Sequence, residues 1–253
     1  MGYAFDQLSS PVLIAHRGAS SQAPENTLAA FDLALKLHAD AIEFDVRLTK
    51  DKHVIVFHDF MLQRTTNGKG KVHNKTLSEL KSLDAGSFFD PSFQGQSIPT
   101  LEEIFEKIGS QTFYHIEIKN FFHPFNKLPE KVISLIKKYN LQSRVTISSF
   151  NPIALIQANH LLPSLGKGLL MQYPQTFTFV HKGLSNYISL KSLHIPVENV
   201  TKGIINHIHS MDQKILVYTV NDPKLIRKLV LWGVDGIFTD DPRTARNALM
   251  AEE

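Results

Sequence analysis

Cysteine is absent from the 253 residues of the sequence. Its absence excludes a disulfide-stabilised scaffold, a thiolate nucleophile, and zinc or iron–sulfur sites built on cysteine. An excess of one charge is also missing: 27 basic residues stand against 24 acidic ones, and no long run of Lys or Arg occurs. This near balance gives no indication of a nucleic-acid or membrane-surface partner.

Long hydrophobic runs are missing as well. The opening residues MGYAFDQLSSPVLIA contain no basic segment, and their short apolar run ends at His16 and Arg17. We therefore expect neither a secretory signal nor a membrane span, and Asp6 stands where N-myristoylation requires Ser or Thr. The sequence predicts a soluble, cytoplasmic protein without a stable membrane anchor.

Short β-rich runs alternate with segments of helical periodicity along the chain. Nine strands are predicted, at residues 12–16, 41–46, 53–58, 113–119, 145–149, 168–171, 187–190, 215–220 and 236–240. Seven helices are predicted, at residues 24–38, 101–108, 128–139, 151–162, 197–211, 222–233 and 241–250. This alternation is typical of a parallel β-sheet covered by helices.

The second and third predicted strands are separated only by TKDK, which is too short for a parallel crossover. They must form an antiparallel hairpin, so eight parallel strands remain, as in a TIM (β/α)8 barrel. We predict a single α/β domain of this kind over residues 1–253, with a small insertion after the second strand, at about residues 47–98. A doubly wound open sheet is the alternative, but the glycine-rich phosphate fingerprint typical of one is absent.

Three groups of ionisable residues fall at the predicted carboxyl ends of strands, where barrel enzymes have their active sites. The first is His16-Arg17-Gly18. It offers an imidazole for proton transfer, a guanidinium that can bind phosphate, and a glycine that lets the backbone approach an anion. Taken alone, such a tripeptide is more often a surface turn.

The second group lies on the hairpin. Glu43 and Asp45 alternate with apolar residues, so they share one face of the strand. A two-residue turn at Asp51 and Lys52 would place His58 directly opposite Asp45 on that face. The simpler interpretation is a solvent-facing side of a half-buried strand. In a barrel both faces are covered, and bare carboxylates there need a partner such as a cation.

The third group is HIEIK, residues 115–119, in which Glu117 and Lys119 are expected to point into the mouth of the barrel. An exposed ion pair is the simpler interpretation of these two residues alone. Three carboxylates from neighbouring strands, without cysteine or a histidine-rich ligand set, favour one hard divalent cation, Mg²⁺ or Ca²⁺. Combined with two histidines and two cationic side chains, they indicate hydrolysis of a phosphate ester.

Eight segments cover nearly the whole chain in order: HRGASSQAPENTLAAF (16–31), AIEFDVRLTKDKHVIVFHD (41–59), RTTNGKG (64–70), IPTLEEIF (98–105), HIEIK (115–119), VTISSF (145–150), VYTVND (217–222) and GVDGIFTDDP (233–242). Together they resemble the successive signatures of the glycerophosphodiester phosphodiesterase family. The resemblance implies a TIM barrel with a small insertion after its second strand. It also implies hydrolysis of small-molecule glycerophosphodiesters, such as glycerophosphocholine, to glycerol 3-phosphate and an alcohol.

Carried over position by position, the resemblance implies three roles: acid–base catalysis by His16 and His58, binding of one divalent metal ion by Glu43, Asp45 and Glu117, and contact with the substrate by Arg17, Lys119 and Tyr218. Two positions depart from the family pattern. Tyr218 replaces the usual Trp, which bears on substrate preference and not on reaction type. Lys52 replaces the usual turn glycine, and a positive φ there would cost about 1 kcal/mol, unless the turn opens by a residue.

Two other functions fit the same residues. A phospholipase C-like or sphingomyelinase D-like enzyme acting on intact lipid would need a membrane-binding surface. Only Phe88-Phe89 and Phe121-Phe122 could supply interfacial aromatics, and we expect both pairs to pack at the mouth. A non-catalytic phosphodiester-binding barrel would have lost a site residue, and none is missing. Five histidines have no functional interpretation and are expected mostly on the surface or on helices: His160, His181, His194, His207 and His209.

The sequence leaves several questions open. It does not identify the preferred alcohol, the physiological metal or the oligomeric state. Nor does it tell which histidine is the acid and which the base, or whether water attacks directly or a cyclic phosphate forms first.

Overall fold

The computed structural model describes residues 3–172, 183–184 and 187–250, and their strands form a closed barrel. The strands are β1 Val12–Ala15, β2 Ala41–Leu48, β3 Val54–Val56, β4 Phe113–Ile118, β5 Val145–Ser149, β6 Gly166–Leu170, β7 Ser192–Pro196, β8 Lys214–Tyr218 and β9 Gly236–Thr239. Only β3 runs antiparallel, alongside β2. Because β1 pairs in parallel with both β2 and β9, the other eight strands close into a ring. The predicted TIM barrel is confirmed.

All seven predicted helices are present, some of them shorter at the ends. The helices within the described residues are α1 Leu28–Lys36, α2 Leu77–Lys81, α3 Leu101–Ile108, α4 Leu128–Lys138, α5 Pro152–Leu161, α6 Lys202–His209, α7 Pro223–Trp232 and α8 Pro242–Met250. Local sequence explains their starts: Asn151 and Asp222 each cap a helix whose first residue is proline. None of these helices is long and apolar enough to cross a membrane.

Side-chain alternation in β2 divides the core from the site. Ile42, Phe44 and Val46 pack in the apolar layer between the barrel and its helices. Glu43 and Asp45 therefore face the barrel interior, as predicted, and are 3% and 1% exposed. A strand with one apolar and one carboxylate face thus brings ionisable groups into a closed barrel, where each needs a partner.

The seventh strand lies at Ser192–Pro196, and the predicted strand at residues 187–190 is wrong. Ser192 and His194 are fully buried inside the barrel. Because both are polar, the strand lacks the apolar run by which a buried strand is recognised in a sequence. The expectation that His194 is a surface or helix residue is also wrong. His160 lies on α5 and His207 and His209 lie on α6, whereas His181 is outside the described residues.

The register of the hairpin differs from the predicted one. Leu48 of β2 lies opposite Val54 of β3. Asp45 consequently lies opposite Phe57, whose backbone N–H donates to the Asp45 carbonyl at 2.8 Å. The predicted placement of His58 directly opposite Asp45 is therefore wrong by one residue.

The turn explains this shift, because it contains three residues, 50–52, instead of two. Thr49 and His53 close it through a hydrogen bond of 3.0 Å between the Thr49 N–H and the His53 carbonyl. Lys52 occupies the last position with φ 68°, in the left-handed region that three-residue hairpin loops require. The extra turn residue moves every later residue one place along its partner strand.

Residues 57–100 connect β3 to α3 and include α2 and two short 3-10 helices, Val72–Asn74 and Pro91–Phe93. A small apolar cluster joins this segment to β3: Ile55, Phe57, Leu62, Val72, Leu80, Ala85 and Ile98. At its start the segment carries His58, Asp59 and Arg64. Its folding therefore determines where these three side chains lie.

Candidate active site

A cavity of about 180 Å³ lies at the carboxyl ends of the barrel strands. Seven of the eight predicted site residues line it: His16, Arg17, Glu43, His58, Glu117, Lys119 and Tyr218. The eighth, Asp45, is buried and within ion-pair distance of Arg17 and Lys119. The barrel therefore gathers into one place residues that are up to 202 positions apart in the sequence.

The three predicted metal ligands form one cluster. Glu43, Asp45 and Glu117 each offer a carboxylate oxygen, and these oxygens lie within 4.8 Å of one another. The register of β2 with β4 explains the proximity, because it places Asp45 beside Glu117. Burial, together with the charges of the neighbouring carboxylates, raises the pKa of Glu43 and of Glu117. The cluster therefore carries more negative charge than its surroundings stabilise.

Two cationic side chains partly balance the cluster. Lys119 Nζ lies 2.9 Å from a Glu117 oxygen and 3.4 Å from Asp45 Oδ1. Arg17 Nε lies 3.4 Å from Asp45 Oδ2. Burial alone would raise the pKa of Asp45, but Lys119 and Arg17 outweigh it and hold that pKa well below its usual range. Asp45 is thus ionised at neutral pH.

The cluster fits a hard divalent cation. Three carboxylates face two fixed cations, so one negative charge remains when all five groups are ionised. Asp45 Oδ1 is buried and accepts no hydrogen bond from the residues that the structure describes. A buried carboxylate oxygen whose one described partner is the longer ion pair with Lys119, beside two further carboxylates, matches the oxygen ligand sets that Mg²⁺ and Ca²⁺ prefer.

His16 is held by the closure of the barrel. Its Nδ1 lies 2.7 Å from Asp240 Oδ1, just after β9. Ser20 Oγ and Asn221 Nδ2 donate to the same carboxylate at 3.1 and 2.7 Å. Burial works to raise the pKa of Asp240, but the hydrogen bond and charge of His16 lower it to about 2. An ionised Asp240 orients the imidazole by holding Nδ1, so Nε2 is the ring nitrogen left for other contacts.

His58 has the same kind of partner, although it is on a different part of the chain. Its Nδ1 lies 2.6 Å from Asp59 Oδ1. Arg64 donates to Asp59 through Nε at 2.6 Å and through Nη2 at 3.0 Å. Burial lowers the pKa of His58, and the charge of Asp45 only partly offsets this effect. Both histidines thus line the cavity, and each is oriented by a carboxylate.

Known proteins resemble this chain over nearly its whole length. The profile of the glycerophosphoryl diester phosphodiesterase family matches residues 16–244. The chain belongs to this family. A glycerophosphodiester phosphodiesterase from Caldanaerobacter subterraneus subsp. tengcongensis is 43% identical over 93% of this chain and 96% of the relative. Another from Bacillus altitudinis is 37% identical over 92% and 96%. The resemblance seen in the sequence is confirmed, and the protein is a phosphoric diester hydrolase.

Solved structures agree with this family membership. An Oleispira antarctica phosphodiesterase, determined in complex with the product sn-glycerol-3-phosphate, superposes with a TM-score of 0.90. It is 33% identical in sequence, and the match covers 98% of this chain and all of the other. The barrel described above is therefore the fold of glycerophosphoryl diester phosphodiesterases.

Several residues that the sequence analysis did not assign complete the site of this family member. Glu25 accepts hydrogen bonds from Arg17 at 3.0 Å and from Arg64 at 2.6 Å. Asn26 donates to Asp45 Oδ2 at 3.0 Å, from a backbone with φ 59°. Five unassigned partners of the ionisable site residues fall inside segments already quoted as family signatures, so a signal for them was present: Glu25, Asn26, Asp59, Arg64 and Asp240.

Gly18 has a packing role besides the one predicted. Its φ is 85°, and a Cβ added there would lie 2.7 Å from the Ala30 carbonyl carbon. The glycine therefore permits close packing against α1, and backbone approach to an anion at this position stays a prediction. The preceding Arg17, with φ 57°, directs its backbone N–H to Glu43 Oε2 at 2.8 Å.

Tyr218 stands at the end of β8 and lines the cavity, as the resemblance implied. Its hydroxyl donates to the Met171 carbonyl at 3.0 Å. Phe150 packs against its ring edge-on, with centroids 6.4 Å apart. The phenol is fixed in place, so the ring presents a rigid aromatic wall to the cavity.

The two aromatic pairs behave differently from each other. Phe121 and Phe122 line a second cavity beside the first one, but are 65% and 69% exposed. Phe88 and Phe89 are 41% and 37% exposed, contact each other, and line neither of these cavities. The expectation that both pairs pack at the mouth is therefore wrong for Phe88 and Phe89, and Phe121 and Phe122 lie at the mouth without being buried.

Proposed function

We propose that the protein hydrolyses glycerophosphodiesters to glycerol 3-phosphate and an alcohol, with one divalent metal ion and with His16 and His58 as the acid–base pair. One observation carries the proposal. Two carboxylate-oriented histidines line the same cavity as Glu43 and Glu117, which form a cluster with the buried Asp45. The activity in the names of the most similar relatives and the product bound in the Oleispira antarctica enzyme support the same substrate class.

Glu43, Asp45 and Glu117 would hold the metal, Mg²⁺ or Ca²⁺. When bound, it supplies a Lewis acid that stabilises negative charge on the phosphate oxygens. Arg17 and Lys119 add two fixed cations at the same cavity, and Tyr218 walls one side of it. Electrostatic stabilisation of this kind is usually the largest contribution to catalysis.

The proton transfers fall to the two imidazoles. One accepts the proton of the attacking hydroxyl, a new P–O bond forms, and the bond from phosphorus to the leaving alcohol breaks. The other imidazole donates its proton to the leaving oxygen, so no charge accumulates on it. Each transfer contributes on the order of 10²–10⁴ in rate. Asp240 and Asp59 hold each imidazole through Nδ1, so Nε2 is the nitrogen that exchanges protons.

The attacking hydroxyl belongs either to water or to C2 of the glycerol. In the second route a cyclic glycerol phosphate forms first and is then hydrolysed. A quenched time course distinguishes the two, because only the second route produces a transient cyclic phosphate. Both routes end in the same products and use the same two histidines.

The decisive experiment is an activity screen of the metal-free protein. Glycerophosphocholine, glycerophosphoethanolamine and glycerophosphoglycerol are supplied with Mg²⁺, Ca²⁺ or Mn²⁺, and released glycerol 3-phosphate is measured. We expect release only after a divalent cation is added. No release with any pair would overturn the proposal, and binding without turnover would indicate a non-catalytic barrel. Faster turnover of intact lipid in vesicles would favour the phospholipase-like alternative.

A further inference from the structure

A second cavity of about 410 Å³ adjoins the catalytic one. Four residues line both cavities: His58, Glu117, Lys119 and Phe150. We call the second cavity the aromatic groove, because its remaining walls include Phe60, Phe121, Phe122 and Ile118. The groove is thus continuous with the place where the phosphate would bind, and it is more than twice the volume of the catalytic cavity.

The aromatic rings of the groove form a contiguous wall. The Phe60 and Phe122 ring centroids lie 5.4 Å apart, and those of Phe121 and Phe122 lie 5.9 Å apart. With 65% and 69% of Phe121 and Phe122 exposed, the wall reaches the protein surface. Exposed aromatic surface that continues from a catalytic cavity is typical of a ligand-binding groove.

Three polar side chains along the groove are already occupied within the protein. Ser149 Oγ donates to the Ile118 carbonyl at 2.8 Å, and Asn151 Nδ2 donates to Asn120 at 2.9 Å. Arg47 donates to the His58 carbonyl at 2.9 and 2.6 Å. These three side chains have little capacity left for a hydroxylated ligand, so the aromatic wall is the main surface that they leave for binding.

The groove does not select a cationic ligand either. Lys71 Nζ already lies 5.4 Å from the centroid of the Phe60 ring, in the position of a cation–π partner. Arg47 and Lys119 place two positive groups on the groove wall, and Asp59 and Glu117 place two negative ones. Because these charges balance, a quaternary ammonium such as that of choline gains no net electrostatic attraction there.

We propose that the aromatic groove binds the apolar part of the alcohol in the diester, so that the enzyme prefers glycerophosphodiesters of alkyl or aryl alcohols over those of small polar alcohols. The inference rests on the proposed function. Every glycerophosphodiester has one constant arm, the glycerol, and one variable arm. The smaller catalytic cavity suits the constant arm, and the larger, surface-reaching groove suits an arm of variable length.

The test compares glycerophosphoethanolamine with glycerophosphobutanol and glycerophosphooctanol, each kept below the concentration at which micelles form. All three release glycerol 3-phosphate, so one assay serves for all. Full burial of one methylene raises kcat/KM about fourfold, and partial burial in an open groove raises it about twofold. Four added methylenes at about twofold each should therefore raise kcat/KM roughly 16-fold from butyl to octyl.

Variants locate the effect. Phe122→Ala should remove most of the gain in kcat/KM from the butyl to the octyl substrate. Phe122→Leu, which keeps an apolar side chain, should retain much of the gain. Phe125→Ala is the matched control, because Phe125 is in the same loop and 77% exposed but does not line the groove. Circular dichroism checks that each variant is folded.

The outcomes separate the two proposals. No release of glycerol 3-phosphate from any of the three substrates would overturn the proposed function itself. Turnover of glycerophosphoethanolamine without a dependence on chain length would overturn only the groove proposal. So would a dependence that Phe122→Ala leaves intact, or one that appears only when the substrate is presented in micelles or vesicles.

Discussion

His16 and His58 have the same chemical partner but are held by different parts of the molecule. His16 follows β1, and its carboxylate Asp240 follows β9, the strand hydrogen-bonded to β1. His58 and Asp59 are neighbours in sequence, at the start of the long segment after the hairpin. One pair is therefore positioned by the closure of the barrel, and the other by side chains that anchor a loop.

The anchors of the second pair are ionic. Arg64 bridges Asp59 and Glu25, at 2.6 Å to each, and Glu25 also binds Arg17. Arg64 is 46% exposed, whereas Glu25 and Arg17 are 15% and 18% exposed, so this chain of charges runs from the surface inward to the cation beside Asp45. The comparison teaches that backbone pairing positions one half of the proposed acid–base pair, whereas three ion pairs position the other.

Loss of either imidazole should have the largest effect. His16→Ala and His58→Ala are each expected to lower kcat/KM at least a hundredfold, because each removes one proton-transfer group. Steady-state release of glycerol 3-phosphate measures this. His53→Ala is the control, since His53 is on the same hairpin but lines no part of the cavity. A near-normal rate for one of the two variants would show that only the other histidine moves a proton.

Removing the anchor of His58 should come next. Arg64→Ala is expected to lower kcat tenfold to a hundredfold, because a misplaced acid–base group costs about that much. Arg64→Lys should rescue little, since lysine cannot replace the paired contacts of a guanidinium. The pH profile of kcat should shift in the Arg64 variants, which a loss of structure alone would not cause.

Ser20→Ala is the matching change on the barrel side. Ser20 donates to Asp240, but Asn221 and the backbone pairing of β1 with β9 remain. We expect a decrease of less than threefold. Equal losses in Ser20→Ala and Arg64→Ala would contradict the distinction between the two halves.

A fall in pH should reduce the stabilisation that Asp240 gives through His16 and the stabilisation that Asp59 gives through His58 and Arg64. The pKa of Asp240 falls from an ordinary 3.8 to about 2, chiefly through His16 acting against the effect of burial. Its stabilisation is therefore complete above pH 3.8 and is lost as the pH falls towards 2. After allowance for solvent screening, Asp240→Asn should lower the free energy of unfolding by about 1 kcal/mol at pH 7 and by almost nothing at pH 2. Urea unfolding at several pH values measures this difference.

Asp59→Asn should behave similarly, because the pKa of Asp59 is also lowered to about 2, with Arg64 and His58 outweighing burial. Adding salt distinguishes the effects of the two substitutions on the free energy of unfolding. The exposed Arg64 pair is screened by 0.5 M NaCl, whose Debye length is only about 4–5 Å. The Asp59→Asn difference should therefore shrink in salt more than the Asp240→Asn difference, and equal shrinkage would indicate that both pairs are held alike.

Elements with a clear period were predictable from the sequence. Residues 101–108, for example, carry apolar residues at helical spacing after Thr100, and the helix has those same bounds, capped by Thr100 and Glu103. The face shared by Glu43 and Asp45 followed from strand alternation. Both predictions depend only on neighbours within a few residues.

What failed depended on contacts that a local pattern does not contain. β7 was missed because Ser192 and His194 are polar yet buried. The hydrogen bond that satisfies Ser192 comes from the Tyr3 hydroxyl at 3.1 Å, and Tyr3 is 189 positions away in the sequence. Asp240 lies in a quoted family segment, but its pairing with His16 does not follow from that segment, since the two are 224 positions apart. The predicted register of the hairpin was wrong because its turn has three residues and not two, and local propensity does not determine that number.

That turn allows the smallest and most local test. Lys52 adopts φ 68°, which costs a residue with a Cβ more than it costs glycine. Lys52→Gly should therefore raise the free energy of unfolding, by about 0.5–1 kcal/mol, without changing kcat. Lys50→Gly, in the same loop but not among the residues with positive φ, should lower it, because there glycine only adds freedom to the unfolded chain. If both glycines act in the same direction, the loop does not hold the three-residue conformation that places Phe57 opposite Asp45 and His58 beyond it.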